Sequence, residues 1–269
     1  MNIYLADITA KTVSTTAEVV KNLIEKGKKC IVFAEDKITL SLELEIASRL
    51  GGGFFNAEVT TFKRYLFSKN ASAKVLSKES SVMLVRKIVS DLKKQFNCFK
   101  NAVNSPNIAL VLYELISQLA SAKVKPSDLK KLLSSDDTLT PALKSKIKDV
   151  VCVYEEYGNR VTEAGVFDSN DYLSLMPEIC ARDENILQSE VVVAGFQSVT
   201  KQRYDVFEAL NGLAKSFHAI VPFDKNSELY TGETYYKLLK IDKNANVVDV
   251  CGNLLNEAEY IILYNRMVK

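Results

Sequence analysis

The chain has 269 residues, of which 47% are hydrophobic and 25% are charged, and its formal net charge is +2. This composition describes an ordinary globular protein with one large domain or two smaller ones. The small net charge excludes a global electric field that would draw the chain onto nucleic acid, so any DNA contact has to be local.

Strand-like and helix-like segments alternate along the first quarter of the chain. The continuous apolar run Cys30–Ala34 is typical of a strand buried on both faces of a parallel sheet. The predicted order is strand Ile3–Ala6, helix Thr12–Glu25, strand Cys30–Ala34, helix Thr39–Leu50, strand Ala57–Thr61 and helix Phe62–Phe67. This rhythm predicts an α/β sheet.

The middle of the chain changes character, because from about Ser77 to Arg182 apolar residues recur at helical spacing. Helices are predicted over Lys78–Phe96, Pro106–Ala122, Pro126–Leu133, Pro141–Ala164 and Asp168–Cys180. The pattern indicates an all-helical subdomain inserted into the α/β sheet, with residues 71–185 assigned to the insertion.

Strand-like segments return after the helical block. The predicted elements are strand Glu190–Ala194, helix Lys201–Ala214, strand Phe217–Val221, helix Thr234–Leu239, strand Val247–Cys251 and a helix from near Leu254. Residues 1–70 and 186–269 are therefore predicted to form one sheet-based domain.

A degenerate phosphate-binding loop follows the first predicted strand. Lys11 and Thr12 match the end of the pattern G-x-x-x-x-G-K-[ST], but Leu5 and Ala10 stand where its two glycines belong. Glycine lets the backbone turn and approach phosphates closely, so this loop is expected to be vestigial. The alternative is an ordinary strand, loop and helix with a solvated lysine.

The metal-binding acid of such a site is also missing. In phosphate-loop hydrolases a later strand carries an acidic residue for Mg²⁺, whereas the strand Glu190–Ala194 ends in alanine. The nearest acids are Glu190, before the strand, and Asp205, within the next helix. The two losses should abolish turnover even if weak nucleotide binding survives, so neither a catalytic residue nor a bound cofactor is expected.

Several segments, in order, resemble the N-terminal region of the AddB/RexB subunit of bacterial ATP-dependent helicase–nucleases. They are the degenerate loop, the stretch from Phe33 to Glu45, VTTFKRYL from Val59, DSNDYL from Asp168, VAGFQSVT from Val193 and NEAEYI from Asn256. The similarity spans nearly the whole chain but reaches only the first helicase-like domain of a much longer protein. The chain is therefore expected to be a fragment or a truncated relative.

This resemblance implies a RecA-like sheet of the phosphate-loop NTPase type, which here serves as scaffold and DNA channel rather than as motor. It also implies an AddA-type partner subunit and a role in processing double-strand DNA breaks for recombinational repair. The family's nuclease domain and iron–sulfur cluster lie beyond the region of similarity, so no cluster is expected in this chain.

Candidate DNA contacts follow two predicted strands, where helicase-type domains hold single strands with hydroxyl, amide, basic and aromatic groups. The first set is Thr60, Thr61, Phe62, Lys63 and Arg64, and the second is Gln197, Thr200, Lys201 and Arg203. Each set also fits a helix cap with solvated charges. Lysines at 123, 125, 130 and 131 and at 144, 146 and 148 fit a basic face or plain solvated surface.

Two other functions remain open from the sequence: an active NTPase with a divergent loop, and an interaction module that docks the partner subunit. Metal or nucleophilic chemistry is not indicated, because His218 is the single histidine and the five cysteines are scattered. These cysteines are expected to be buried thiols. With no apolar run long enough to span a membrane and no targeting signal at its start, the chain is predicted to be cytoplasmic and to make no membrane contact.

Overall fold

A computed structural model describes residues 1–6, 9–69, 74–135, 138–168, 172–224 and 232–250, without the side chains of residues 9, 10 and 172. The described residues form two compact units, each built from more than one stretch of the chain. The first unit takes Met1–Phe62, Cys180–Val199 and the chain from Phe207 onward, and the second takes Lys63–Ile179 and Thr200–Val206.

The first unit is built on a six-stranded sheet whose neighbouring strands are all parallel, in the order β3-β2-β6-β7-β1-β8. Its strands are β1 Asn2–Ala6, β2 Cys30–Ala34, β3 Ala57–Thr60, β6 Glu190–Ala194, β7 Ser216–Pro222 and β8 Asn246–Asp249. The predicted α/β parallel sheet is confirmed.

The central strands of this sheet are buried, and their sequences are apolar except for Glu190 at the start of β6. All five residues of β2 and all five of β6 are buried, and Cys30 lies in register with Glu190. The helices that belong wholly to this unit are α1 Thr9–Glu25, α2 Asp36–Leu50, α9 Glu184–Gln188 and α11 Glu233–Ile241. Three further helices are each shared between the units: α3 Phe62–Lys69, α8 Met176–Ala181 and α10 Lys201–Leu213.

Two groups of side chains form the core of the first unit. On one face of the sheet, Ala17 and Val20 of α1 and Leu42 of α2 pack with Val32 and Val192. Side chains of successive strand residues point to opposite faces, so Phe33 faces the other way. There it stacks on Phe62 with ring centroids 4.7 Å apart, in an aromatic cluster that includes Phe196 and Phe207.

The second unit is helical apart from two short paired strands. Its elements are β4 Val75–Leu76, α4 Lys78–Asp91, α5 Ile108–Ser121, α6 Pro126–Ser135, α7 Pro141–Glu163, β5 Phe167–Asp168, a 3₁₀ helix at Tyr172–Leu175 and the first part of α8. Its core joins three helices, with Val85 and Ile88 of α4, Leu112 and Ile116 of α5, and Val153 of α7.

Several predicted boundaries differ from the structure. Helix α4 ends at Asp91 instead of Phe96, and the helix predicted over Asp168–Cys180 is replaced by β5, the 3₁₀ helix and α8. The expectation of buried cysteines is confirmed for Cys30 and Cys180, but it is wrong for Cys98, which is exposed, and Cys152 is only partly buried. The predicted helix near Leu254, residues 169–171 of the segment DSNDYL, the segment NEAEYI and Cys251 lie outside the described residues.

Candidate functional site

The candidate site lies at the edge of the sheet where the strands end. Because the strands of the sheet are parallel, the carboxyl ends of β1, β2, β3, β6 and β7 meet at one edge. In open parallel α/β sheets, ligands bind in the crevice outside this edge. The predicted nucleotide residues and the first residues of both predicted DNA sets follow these strand ends.

Part of the degenerate loop, namely residues 7 and 8 and the side chain of Ala10, lies outside the described residues. The position of the first missing glycine is described. Leu5 is a fully buried residue of β1, in register with Val221 of β7 and Asp249 of β8. Its side chain therefore belongs to the core of the sheet.

Lys11 and Thr12 lie in the first turn of α1, where a phosphate-loop protein presents this pair to its nucleotide. Thr12 is 1% exposed, and its hydroxyl oxygen has no hydrogen-bond partner among the described residues. Its carbonyl accepts a hydrogen bond of 2.6 Å from the Thr16 hydroxyl. The Thr12 hydroxyl is thus a buried polar group in need of a small partner.

A small cavity at Thr12 limits what that partner could be. The cavity measures about 10 Å³ and is lined by Thr12, Lys37, Ile38, Gly195, Gln197 and Pro222. A space of this size holds about one water molecule. A nucleotide triphosphate with Mg²⁺ is much larger than this cavity, and the loss of nucleotide binding stays a prediction.

Ile38 and Gly195 close this space together. Gly195 follows β6 with a φ of +85°, and a Cβ atom added to it would lie 2.6 Å from the Ile38 Cδ1 atom. Ile38 is 3% exposed and belongs to the core that joins α1, α2 and the sheet. Glycine is thus required both for the backbone conformation and for the close approach of the isoleucine.

No carboxylate extends from the end of β6, because the strand ends at an alanine, Ala194, which is fully buried. Glu190 starts β6 at the opposite edge of the sheet and accepts hydrogen bonds from Lys28, at 2.8 Å, and from the Ser216 hydroxyl. Burial raises the pKa of Glu190, but the hydrogen bonds from Lys28 and Ser216 outweigh it and hold the pKa below its usual value. Glu190 is therefore a structural anion.

The second acid near β6 is also engaged. Asp205 forms ion pairs with Lys123 and, at 2.8 Å, with Lys201. Burial raises the pKa of Asp205, but the two lysines lower it more strongly. The pKa of Asp205 therefore lies below its usual value. Asp205 thus bonds to lysines of its own unit.

An acid that no sequence motif indicates follows β7. Asp224 is 3% exposed and stands two residues beyond the end of the strand, at the carboxyl edge. The sequence signal is an acidic residue directly after the strand-like segment from Phe217 to Phe223. Across the described ranges, no group of three or more His, Cys, Asp or Glu residues could hold a metal ion.

His218 belongs to a buried polar cluster rather than to a catalytic triad. Its Nε2 atom lies 2.7 Å from the Ser216 hydroxyl and 3.8 Å from a Glu190 oxygen, whereas its Nδ1 atom has no partner among the described residues. A triad needs the carboxylate on the nitrogen away from the serine. Burial lowers the pKa of His218, which favours the neutral ring.

The first predicted DNA set divides by exposure. Thr60 and Thr61 are each 5% exposed, and Phe62 is 6% exposed within the aromatic cluster. Lys63 and Arg64 are exposed in the first turn of α3. In this conformation the lysine and arginine can reach phosphates, whereas the phenylalanine packs on protein instead of presenting its ring to a base.

The second predicted DNA set is mostly accessible. Gln197 and Thr200 are exposed, and the Thr200 hydroxyl caps α10 by accepting a hydrogen bond of 3.3 Å from the Arg203 backbone N–H. Lys201 pairs with Asp205 and lies 4.5 Å from the centre of the Tyr204 ring.

The structure brings part of the two sets to one place. Thr60 and Gln197 lie in the first unit, at or just beyond strand ends on the same edge of the sheet. Lys63, Arg64 and the residues from Thr200 to Arg203 belong to the second unit. DNA binding by these residues stays a prediction.

No helix within the described ranges is both long enough and apolar enough to cross a membrane. The longest described helix, α7, has 23 residues but includes several charged side chains.

Comparison with known proteins gives a consistent result. A family model described as "ADDB, N-terminal" matches residues 7–261. Similar proteins include the B-type subunit of the ATP-dependent helicase/deoxyribonuclease of Bacillus subtilis, 25% identical over 82% of this chain and 21% of its own length. The corresponding proteins from Listeria welshimeri, 25% identical over 97% of the chain, and Moorella thermoacetica, 27% identical over 84%, also match. The chain spans 23% and 21% of the lengths of these two.

Proposed function

The chain belongs to the AddB N-terminal family, and from that premise we propose that it is a catalytically silent, DNA-contacting scaffold within the B-type subunit of a helicase–deoxyribonuclease. In this proposal it acts in the processing of double-strand DNA breaks for recombinational repair. The motor activity comes from an AddA-type partner, because the relatives are named as one subunit of an ATP-dependent enzyme.

The closed space at Thr12 carries this proposal. Phosphoryl transfer depends on a phosphate cradle and on Mg²⁺ for most of its electrostatic stabilisation. Here Ile38 packs against Gly195 where phosphates would need room, and Ala194 ends the strand that would supply the metal-binding acid. A scaffold needs neither group, so the sheet can persist while the site closes.

The DNA part of the proposal is supported by the exposed polar groups that follow the strand ends. In the first unit Gln197 offers an amide, and in the second unit Lys63 and Arg64 offer charge. Amide and basic groups of these kinds hold a nucleic-acid backbone. The backbone carries the affinity and makes it dependent on salt.

Fluorescence anisotropy with single-stranded, duplex and forked DNA at two salt concentrations tests this role. We expect salt-dependent binding that Lys63→Ala/Arg64→Ala weakens by about tenfold, because two phosphate contacts are lost. The matched control is Lys26→Ala/Lys29→Ala, which removes the same charge from exposed positions in the other unit. Equal binding by both variants would exclude Lys63 and Arg64 as contacts.

We further expect no Mg²⁺-dependent ATP hydrolysis by this chain, and no change in that result with Lys11→Ala, because the phosphate position is closed. Isothermal titration with ATP and a phosphate-release assay measure binding and turnover. Hydrolysis above background that disappears in Lys11→Ala would instead identify an active NTPase with a divergent loop.

An interaction module is the second candidate, and the surface of α2 favours it. Leu40 and Leu44 lie one turn apart and are 67% and 64% exposed, with Ser41 and Ser48 on the same exposed side. Two neighbouring exposed leucines form a small apolar patch, which a partner protein could cover. Absence of binding to every DNA at low salt would favour this function.

A further inference from the structure

The loop between α4 and α5 of the second unit has an unusual distribution of charge. Residues 92–113 contain no aspartate or glutamate, and residues 138–154, which include the first part of α7, contain only Asp149. These two stretches supply Lys93, Lys94, Lys100 and Lys148, all of which are exposed. We call these four residues the lysine face.

The loop is ordered by its own side chains. Phe96 is 3% exposed in the helical core, and Phe99 and Val103 pack against the same core. Backbone hydrogen bonds of 2.8 Å from Gln95 to Leu92 and from Ala102 to Phe99 form successive turns. The apolar residues of the loop therefore point inward, and its lysines point outward.

Asp149 fixes the loop against α7. Its buried carboxylate accepts hydrogen bonds from three successive backbone N–H groups, those of Asn97 at 3.1 Å, Cys98 at 2.7 Å and Phe99 at 2.9 Å. We call these hydrogen bonds the Asp149 clamp. Lys100 follows the last of the clamped residues and Lys148 precedes Asp149, so the clamp brings both lysines to the place where the loop meets α7. Lys93 and Lys94 lie at the start of the same loop, just after the end of α4.

Nearby acids do not neutralise this face. Asp149 is 2% exposed and is bound to the loop. Asp91 is shared between Lys87, at 3.3 Å, and Arg160, at 3.0 Å. None of the four lysines forms an ion pair within the described part of the chain, and together they carry more charge than the chain's net of +2.

We propose that the lysine face is a second nucleic-acid site, which binds the phosphodiester backbone of DNA without reading its sequence. Lysine binds phosphates as a point charge, and the exposed Asn97, Asn101 and Asn104 add amide donors beside the lysines. A membrane surface is disfavoured, because the loop buries its aromatic residues. The choice of DNA over another polyanion rests on the proposed function, but the site uses none of the residues at the strand ends.

The test compares two variants of equal charge. In the first, Lys93, Lys94, Lys100 and Lys148 are all changed to Gln, which suits a helix and a polar loop alike. In the control, Lys26, Lys29, Lys215 and Lys243, which are exposed in the first unit, are changed to Gln. Binding to a duplex is measured by anisotropy at about 50 and 200 mM salt.

We expect the lysine-face variant to bind at least about tenfold more weakly at the lower salt. Its salt dependence should lose about one unit of slope for each lysine that contacts a phosphate. The control should bind like the parent chain within about twofold. Equal losses in the two variants, or no binding by the parent chain at about 50 mM salt, would overturn the proposal.

Acetylation of lysines followed by mass spectrometry locates the contact and separates the two DNA sites. DNA should protect the lysine face from acetylation, whatever happens at Lys63. Protection of Lys63 alone would overturn this proposal but would still support DNA contact at Lys63 and Arg64. Protection of the lysine face alone would support this proposal and would contradict DNA contact at Lys63. Protection by polyglutamate but not by DNA would overturn it in favour of an acidic protein partner.

Discussion

Asp149→Ala is expected to lower the free energy of unfolding of the second unit by about 3 kcal/mol. The substitution leaves the backbone N–H groups of Asn97, Cys98 and Phe99 without their acceptor, and each unmet group costs about 1–3 kcal/mol when it is shielded from water. The loop that these bonds hold also contributes Phe96 to the helical core. Urea unfolding followed by circular dichroism measures the loss.

Two control variants show whether the loss of stability comes from the hydrogen bonds to Asp149. Asp149→Asn should cost less than Asp149→Ala, because an amide oxygen still accepts one or two of the hydrogen bonds. Asp128→Ala removes an exposed acid that caps α6 through the Lys125 N–H at 3.0 Å, and it should cost about 1 kcal/mol. Hydrogen exchange should speed up at residues 97–99 in Asp149→Ala alone. A cost no larger than that of Asp128→Ala would mean that the clamp contributes little.

Gly195→Ala is expected to cost about 2–4 kcal/mol, for two separable reasons. A side chain at a φ of +85° is strained by about 1–2 kcal/mol. The new Cβ atom would also meet the Ile38 Cδ1 atom at 2.6 Å, which forces the isoleucine to move within a packed core. Thermal and urea unfolding of the purified variant give the total.

A double-mutant cycle separates the two reasons. Ile38→Val deletes only the Cδ1 atom, so in that background Gly195→Ala should cost only the backbone part of about 1–2 kcal/mol. Gly212→Ala is the matched glycine control, since a Cβ atom there meets nothing within 4 Å, and in helix α10 it should stabilise by about 0.5–1 kcal/mol. An unchanged cost of Gly195→Ala in the valine background would show that Ile38 does not seal the space.

The sheet could be predicted from the sequence because its central strands are encoded locally. The predicted strands Cys30–Ala34 and Glu190–Ala194 coincide with β2 and β6, because a strand buried on both faces needs a run of mainly apolar residues. The strand order could not be predicted, because the pairing of β1 with β7 and β8 depends on contacts between distant parts of the chain.

The wrong predictions of element boundaries in the helical unit are also explained by contacts between distant residues. Residues 92–96 continue the apolar pattern of α4, but the helix ends at Asp91. The backbone that follows donates hydrogen bonds to Asp149 instead of continuing the helix. Strand β5 forms because Val75 and Leu76 lie beside Phe167 and Asp168, a pairing between residues about 90 positions apart. Neither partner carries a local signal strong enough to outweigh helical spacing.

The candidate site was partly visible in the sequence. The missing glycines and the missing acid were evident from Leu5, Ala10 and Ala194. The seal made by Ile38 was not, because it depends on the packing of α2 beside the end of β6. Asp224 was overlooked because the pattern for a metal-binding acid points to the strand that ends at Ala194.

The position of β1 within the sheet has a consequence for the order of assembly. Its described neighbours are β7 and β8, so Asn2 can pair only after His218 and Asn246 have been synthesised. A nascent chain that stops before Ser216 contains neither neighbour, while β2 and β3 can already pair with each other. Of the described strands, β1 is thus the first to be synthesised and among the last to enter the sheet. Until then it is an unpaired strand, which is the kind of segment that chaperones protect.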